Sequence, residues 1–210
     1  GSPGPAAAQP AHSSAAALRA RTGRCYNDAL VVRTRVPRAF KVFYSDRYTV
    51  PLPEGHRFPM GKYRLLRDRL IDEDVLDAAE LHEAPLATRA QLVLAHTPGY
   101  VDRILDGTID PKMMRRIGLP WSEALVLRTL ASVGGQIAAA EEAVRSGFGA
   151  NLAGGTHHAH ADAGSGYCVF NDIAVSLLGL RAQEKIRRAA IVDLDVHQGD
   201  GNSAILAGRH

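Results

Sequence analysis

Cysteine is nearly absent from these 210 residues, with only Cys25 and Cys168 present. Two cysteines exclude a disulfide-stapled scaffold and a four-cysteine zinc site, and they suit a reducing compartment. Aromatic residues are sparse at 6%, with a single tryptophan. No run of about 18 apolar residues occurs, so no membrane-spanning helix is expected. No acid precedes Asp28, and no uninterrupted apolar stretch of the secretory-signal kind occurs near the start. Residues 1–20 also lack large apolar side chains, and a stretch of Ala, Pro, Ser and Gly cannot offset its own ordering entropy. Residues 1–38 are therefore expected to be a disordered basic extension, with residues 39–210 the folded part. The Ala-, Ser- and Arg-rich composition resembles an organelle transit peptide, and a bland tag remnant is the alternative.

The rest reads as a globular protein, because 46% of residues are hydrophobic and 22% charged. The net charge of +3 is unevenly placed. Residues 1–44 hold seven basic residues against one acid, whereas the remainder holds 18 basic and 21 acidic residues. The positive charge thus belongs to the first segment and gives no reason to expect the body to bind nucleic acid. Interleaved aromatics and a base-reading motif are missing as well.

Apolar spacing organises the body. Lys41–Tyr44 reads as a first strand, followed by a loop from Val50 to Pro59 whose prolines and glycine forbid regular structure. Tyr63, Leu66 and Leu70 predict a helix over 61–71. Gln91–Ala95 reads as a second strand ending at His96. Ser122 is placed to cap a long helix that stops near Gly147. Asn151–Gly155 leads into a turn, and Asn171 or Asp172 caps a helix to Leu180. Ala189–Val196 reads as a buried parallel strand whose end carries function. Strands alternating with helices predict an α/β fold with a mainly parallel sheet.

The chemistry-bearing residues gather late in the chain. In Asp193-Leu-Asp195-Val-His197-Gln-Gly-Asp200-Gly, residues two apart share one strand face, so Asp193, Asp195 and His197 converge at the strand end. Acids in so apolar a run need a partner or a metal. Asp195 and His197 offer an oxygen and an imidazole nitrogen, a set suited to zinc. The stretch Gly154-Gly-Thr-His157-His158-Ala-His160 brings two adjacent histidines, each needing an orienting carboxylate. Asp193 and Asp200 are the available ones. His160 reads as a solvated bystander.

These segments, with Gly166-Tyr-Cys-Val-Phe-Asn-Asp172 between them, resemble the arginase/histone-deacetylase superfamily. Upstream, Phe43-Tyr-Ser-Asp46, the loop Pro51–Met60 and Ile117-Gly-Leu-Pro-Trp-Ser-Glu123 are similar to class IV histone deacetylases and their bacterial relatives. The resemblance runs from about residue 40 onward. It implies a parallel sheet flanked by helices and a zinc-dependent hydrolase that removes acetyl or longer acyl groups from lysine. On that resemblance Asp195 and His197 are zinc ligands. His158 with Asp200 is the general base acting on a zinc-activated water, and His157 with Asp193 steadies the transition state. Gly166 and Tyr167 line the substrate tunnel, and potassium is a structural ion near the Asp193–His197 backbone. The family pattern also has a third ligand, an Asp, and a Gly-Tyr pair further downstream. Neither falls within 210 residues, so a C-terminally truncated domain with an exposed apolar sheet edge is expected. Gln198 replaces a histidine common in relatives. The expected partner is an acyl-lysine protein or peptide in the nucleus or cytoplasm, or in an organelle if the first segment is a transit peptide. An acylpolyamine amidohydrolase and an inactive binding protein are the competing readings.

Overall fold

Strand β1 (Lys41–Tyr44) forms where the short apolar run lies, and its Val42 and Phe43 are buried. In the computed structural model, which describes residues 40–208, β1 is the centre of a three-stranded parallel sheet. Strand β2 (Leu81–Glu83) pairs Leu81 with Val42 on one side, and β3 (Gly149–Asn151) pairs Gly149 with Lys41 on the other. The proposed disordered extension lies outside the described residues.

Helix α1 (Lys62–Asp72) follows the proline-rich loop. Its apolar spacing is that of a helix, yet it buries no residue fully, and Leu65 and Leu66 face solvent. Arg67 anchors it instead, bonding Asp46 at 2.9 Å and stacking 5.0 Å from the Tyr44 ring. The expected strand at Gln91–Ala95 is a helical turn, α2 (Arg89–Leu92). Thr88 and Gln91 form a reciprocal capping box there, and two backbone donors satisfied locally outweigh a short apolar run. The second strand is Leu81–Glu83, too short and polar to be read from alternation.

Helices α3 (Pro98–Asp106) and α4 (Pro111–Ile117) each start with proline and end at a left-handed glycine, Gly107 and Gly118. Together they bury Tyr100, Val101, Ile104, Met114 and Ile117. The long helix α5 (Glu123–Ser146) is capped by Ser122, whose hydroxyl accepts from the Leu125 amide at 3.1 Å. Helix α5 packs on β1, β3 and α6 (Asp172–Ala182). The last helix is α7 (Asp200–Leu206). Phe170 and Tyr100 meet edge-on at 5.7 Å in the core, and the Tyr100 hydroxyl donates to Val169 carbonyl at 2.8 Å.

Residues 189–196 correct the expectation of a buried parallel strand. They form no strand, and Val192, Leu194 and Val196 are 81%, 91% and 93% exposed. A strand exists only through pairing, and among the described residues no strand lies beside this stretch. The expected apolar sheet edge is thus an exposed apolar stretch outside the sheet.

Glycine lets α5 approach its neighbours closely. A methyl on Gly134 would sit 2.0 Å from the Pro85 carbonyl oxygen. In a solvated helix Gly→Ala stabilises by about 1 kcal/mol. Here Gly134→Ala reverses that sign: urea melts are expected to show a loss of about 2 kcal/mol or more, because backbone must shift. A Gly134→Ala protein as stable as the parent refutes this packing.

Candidate functional site

The N-terminus of α6 positions the site. The Asn171 side chain accepts from the Ala174 amide at 2.8 Å, as an N-cap does. Its Nδ2 donates to the Ala159 carbonyl at 3.1 Å and to Asn202 Oδ1 on α7 at 2.8 Å. The next residue, Asp172, is fully buried. Its carboxylate accepts from the Gly155 and Thr156 amides, each at 2.9 Å, and from the Thr156 hydroxyl at 2.6 Å. Burial pushes its pKa up, against the pull of these donors. The loop before the two histidines is thereby tied to a helix end.

That loop delivers His157 and His158 side by side, their ring centres 4.3 Å apart. His157 Nδ1 lies 2.7 Å from Asp193 Oδ2, and His158 Nδ1 lies 2.8 Å from Asp200 Oδ1. Each carboxylate is held below its ordinary pKa, chiefly by its histidine. For Asp200 the value falls to about 2. Both acids are therefore ionised at neutral pH and fix the Nδ1–H tautomer, leaving Nε2 as the acceptor. His160 is not a bystander. Its Nε2 lies 3.3 Å from the second oxygen of Asp200, because one carboxylate can serve two imidazoles.

Asp195 and His197 sit on the exposed stretch before α7. His197 Nδ1 is 2.8 Å from Asp195 Oδ1, and the Asp195 pKa is lowered by the His197 amide and ring. The His197 ring centre is 5.9 Å from that of His158. His157, His158, Asp195 and His197 border one cavity of about 390 Å³, which also meets Phe58, Tyr63, Arg128 and Tyr167. Among the described residues no three His, Cys, Asp or Glu side chains are arranged to hold a metal. Asp195 and His197 nonetheless present the donor types zinc takes, and they fit as two of its protein ligands.

Gly166 has φ +55°, and a methyl on it would come within 2.7 Å of the His158 ring. Tyr167 also has positive φ, 66°, which is rare for a bulky residue. Its amide donates to the Ile117 carbonyl at 2.7 Å, and its ring lies 4.9 Å from that of Phe58. The two rings make an aromatic wall at the cavity. Cys168 is buried beneath it, and burial pushes its thiol up to about 11, so it is no nucleophile at neutral pH.

The histone deacetylase domain family matches residues 56–210. The chain belongs to the histone deacetylase family. It is 47% identical over 166 residues to an uncharacterised protein of Picosynechococcus, a match covering 79% of this chain and 55% of that one. It is 31% identical over 170 residues to the acetoin utilization protein AcuC of Staphylococcus aureus, covering 75% of this chain and 43% of the relative. Among solved structures it matches an HDAC homologue complexed with SAHA at TM-score 0.69 and 27% identity, covering 80% of this chain and 47% of the other. An HDAC homologue from Aquifex aeolicus matches at TM-score 0.65 and 27% identity, covering 78% and 46%. The chain thus spans about half the length of the relatives it matches. The fold is the arginase/deacetylase one, a parallel sheet flanked by helices.

Two contributors to the site escaped the sequence. His96, read only as the end of a strand, is buried, with Nδ1 2.9 Å from the His160 carbonyl and Nε2 accepting from the Asn171 amide at 2.9 Å. Arg128 looked like one polar residue in an apolar helix. Its isolation among Leu125, Val126, Leu127 and Leu130 was the only signal.

Both nitrogens of His96 are committed, so the ring is neutral, and burial lowers its pKa to about 4 against 6.5. The unfolded chain binds the proton first on acidification. Stability is therefore expected to fall as pH drops from about 6.5 to about 4, by at most about 3 kcal/mol from this group. Denaturant melts at pH 7.5 and 5 check this. In His96→Gln that slope should flatten, and an unchanged slope would assign the acid sensitivity elsewhere.

Proposed function

We propose that the whole protein is a zinc-dependent hydrolase that removes acetyl or longer acyl groups from lysine side chains. The observation that carries the reading is the pair of carboxylate-oriented imidazoles, His157 and His158, stacked 4.3 Å apart on the wall of the cavity that Asp195 and His197 also line. Membership of the histone deacetylase family supports it, and the resemblance of the Pro51–Met60 and Ile117–Glu123 segments to class IV members is the ground for proposing a protein of that kind.

The residues divide the proton work. His158 gives its Nδ1–H to Asp200, so its Nε2 is free to take a proton from the attacking water and return it to the departing lysine amine. His157, oriented by Asp193 through Nδ1, is the second imidazole set to face the charge developing on the carbonyl oxygen. Asp193 and Asp200, held below the ordinary carboxylate pKa, keep the charge that orients each ring. Asp195 and His197 would hold the zinc, which supplies Lewis-acid polarisation of the acyl carbonyl when bound. Tyr167 and Phe58 offer an apolar wall to the methylene stem of lysine.

The test is release of the carboxylic acid from acetyl- and long-acyl-lysine peptides, with unmasking of the lysine ε-amine, by zinc-loaded protein, with acylated polyamines assayed in parallel. His158→Ala is expected to lower kcat by about 10²–10⁴-fold with a smaller change in KM. Asp195→Ala and His197→Ala should lose zinc to a chelator that leaves the parent loaded. Turnover of polyamines alone would move the reading to a small-molecule amidohydrolase. A His158→Ala protein as fast as the parent would falsify the assignment of the base.

A further inference from the structure

Arg128 is 7% exposed, and its Nη1 is buried without a hydrogen-bond partner among the described residues. A buried guanidinium is normally matched by a carboxylate, because an uncompensated interior charge is strongly destabilising. Among the described residues no acid forms an ion pair with it. What meets Arg128 is the Tyr63 ring, its centre 4.0 Å from the guanidinium carbon. The same Tyr63 ring has Lys62 Nζ 5.1 Å away, and Lys62 is also 4.8 Å from the Phe58 ring. Two cations therefore share an aromatic surround: burial and then the Arg128 charge lower the Lys62 pKa, and burial lowers that of Arg128 against the pull of Tyr63. Lys62, Tyr63 and Arg128 border the cavity that contains His157 and His158. Helix α5 supplies Arg128 from one wall and α1 supplies Lys62 and Tyr63 from another, so the arrangement is built from regular elements.

We propose that Arg128, aided by Lys62, makes this cavity a carboxylate-binding site, and that the hydrolase accepts acyl groups ending in a carboxylate, such as succinyl or glutaryl chains on lysine. The substrate class rests on the hydrolase reading above; the carboxylate contact does not. The guanidinium already shares a side-chain hydrogen bond with Tyr63, and its unpartnered Nη1 is the group left to donate to a carboxylate, a charge-assisted bond that a desolvated pocket strengthens. An apolar acyl chain of the same length would leave the Arg128 Nη1 unsatisfied, so the site discriminates against it.

Binding is read first, without turnover. Succinate, glutarate and acetate are titrated into the protein, following the ¹⁵N-Arg side-chain resonances by NMR and heat by calorimetry. The Arg128 Nε signal is assigned from its disappearance in Arg128→Lys. Saturable succinate and glutarate binding that moves this signal is expected. Arg128→Gln should weaken it tenfold or more, and Arg128→Lys should weaken it less than Arg128→Gln does. If Arg128→Gln does not fold, the parent's own Arg128 signal still decides: no movement up to 20-fold more succinate than protein at millimolar concentration overturns the proposal. Equal affinity for acetate and succinate overturns the acyl-chain assignment in favour of the released product's carboxylate. In the turnover arm, Arg128→Gln should cut the succinyl-to-acetyl ratio of kcat/KM at least tenfold. A protein that deacetylates peptides but ignores succinate at Arg128 sinks this proposal and leaves the hydrolase reading standing. Succinate bound at Arg128 by a protein that hydrolyses nothing does the reverse.

Discussion

The buried end of α6 is the constraint on which the site depends. Asn171 and Asp172 together tie down three separate pieces of chain: the loop at 155–156, the carbonyl of Ala159 and the start of α7. His157 and His158 lie between the first two anchors, and Asp200 begins the third. A helix N-terminus gives Asp172 a favourable dipole as well as amide donors from the neighbouring loop. Removing one such anchor would free a histidine ring while leaving the sheet untouched. The backbone of α7 is drawn in equally closely: a methyl on Gly201 would lie 2.4 Å from the Ala159 carbonyl oxygen and 2.5 Å from that of His157.

Electrostatics then refine what packing positions. Around the two histidines the acids are partly solvated and keep their charge, so they orient imidazoles without a large desolvation cost. Around His96 and Cys168 the surroundings are apolar, and both groups are held neutral. Neutral buried polar groups brace the wall, and charged groups face the cavity. Arg128 breaks that division, which is why it calls for a ligand and not for a structural explanation.

Much of this was legible in the residues. The long helix from Glu123 and the cap at Asn171 follow from local signals, a serine or asparagine before an apolar-periodic run. The spacing of Asp193, Asp195, His197 and Asp200 announced acids at a chain turn, and the pairing of His157 and His158 with two of them was readable because few carboxylates were available. What was not legible depended on distant partners. Gln91–Ala95 looked like a strand because apolar runs of five do not reveal their period, and the capping box at Thr88 decided it. Residues 189–196 have strand composition but no strand beside them among the described residues. His96 bonds groups 64 and 75 positions away, a relation no local pattern encodes. His160 was misjudged because one acid was allotted one histidine.

The separation of the paired groups along the chain has a consequence for biosynthesis. His157 meets Asp193 across 36 positions and His158 meets Asp200 across 42. A ribosome adding about 5–20 residues per second exposes the histidine loop for several seconds before either acid follows. During that interval α5, the sheet and α6 can already be packed, since their contacts close earlier in the sequence. The histidine loop thus leaves the ribosome well before the acids that orient its rings, and the paired geometry is the last part of the site to be completed.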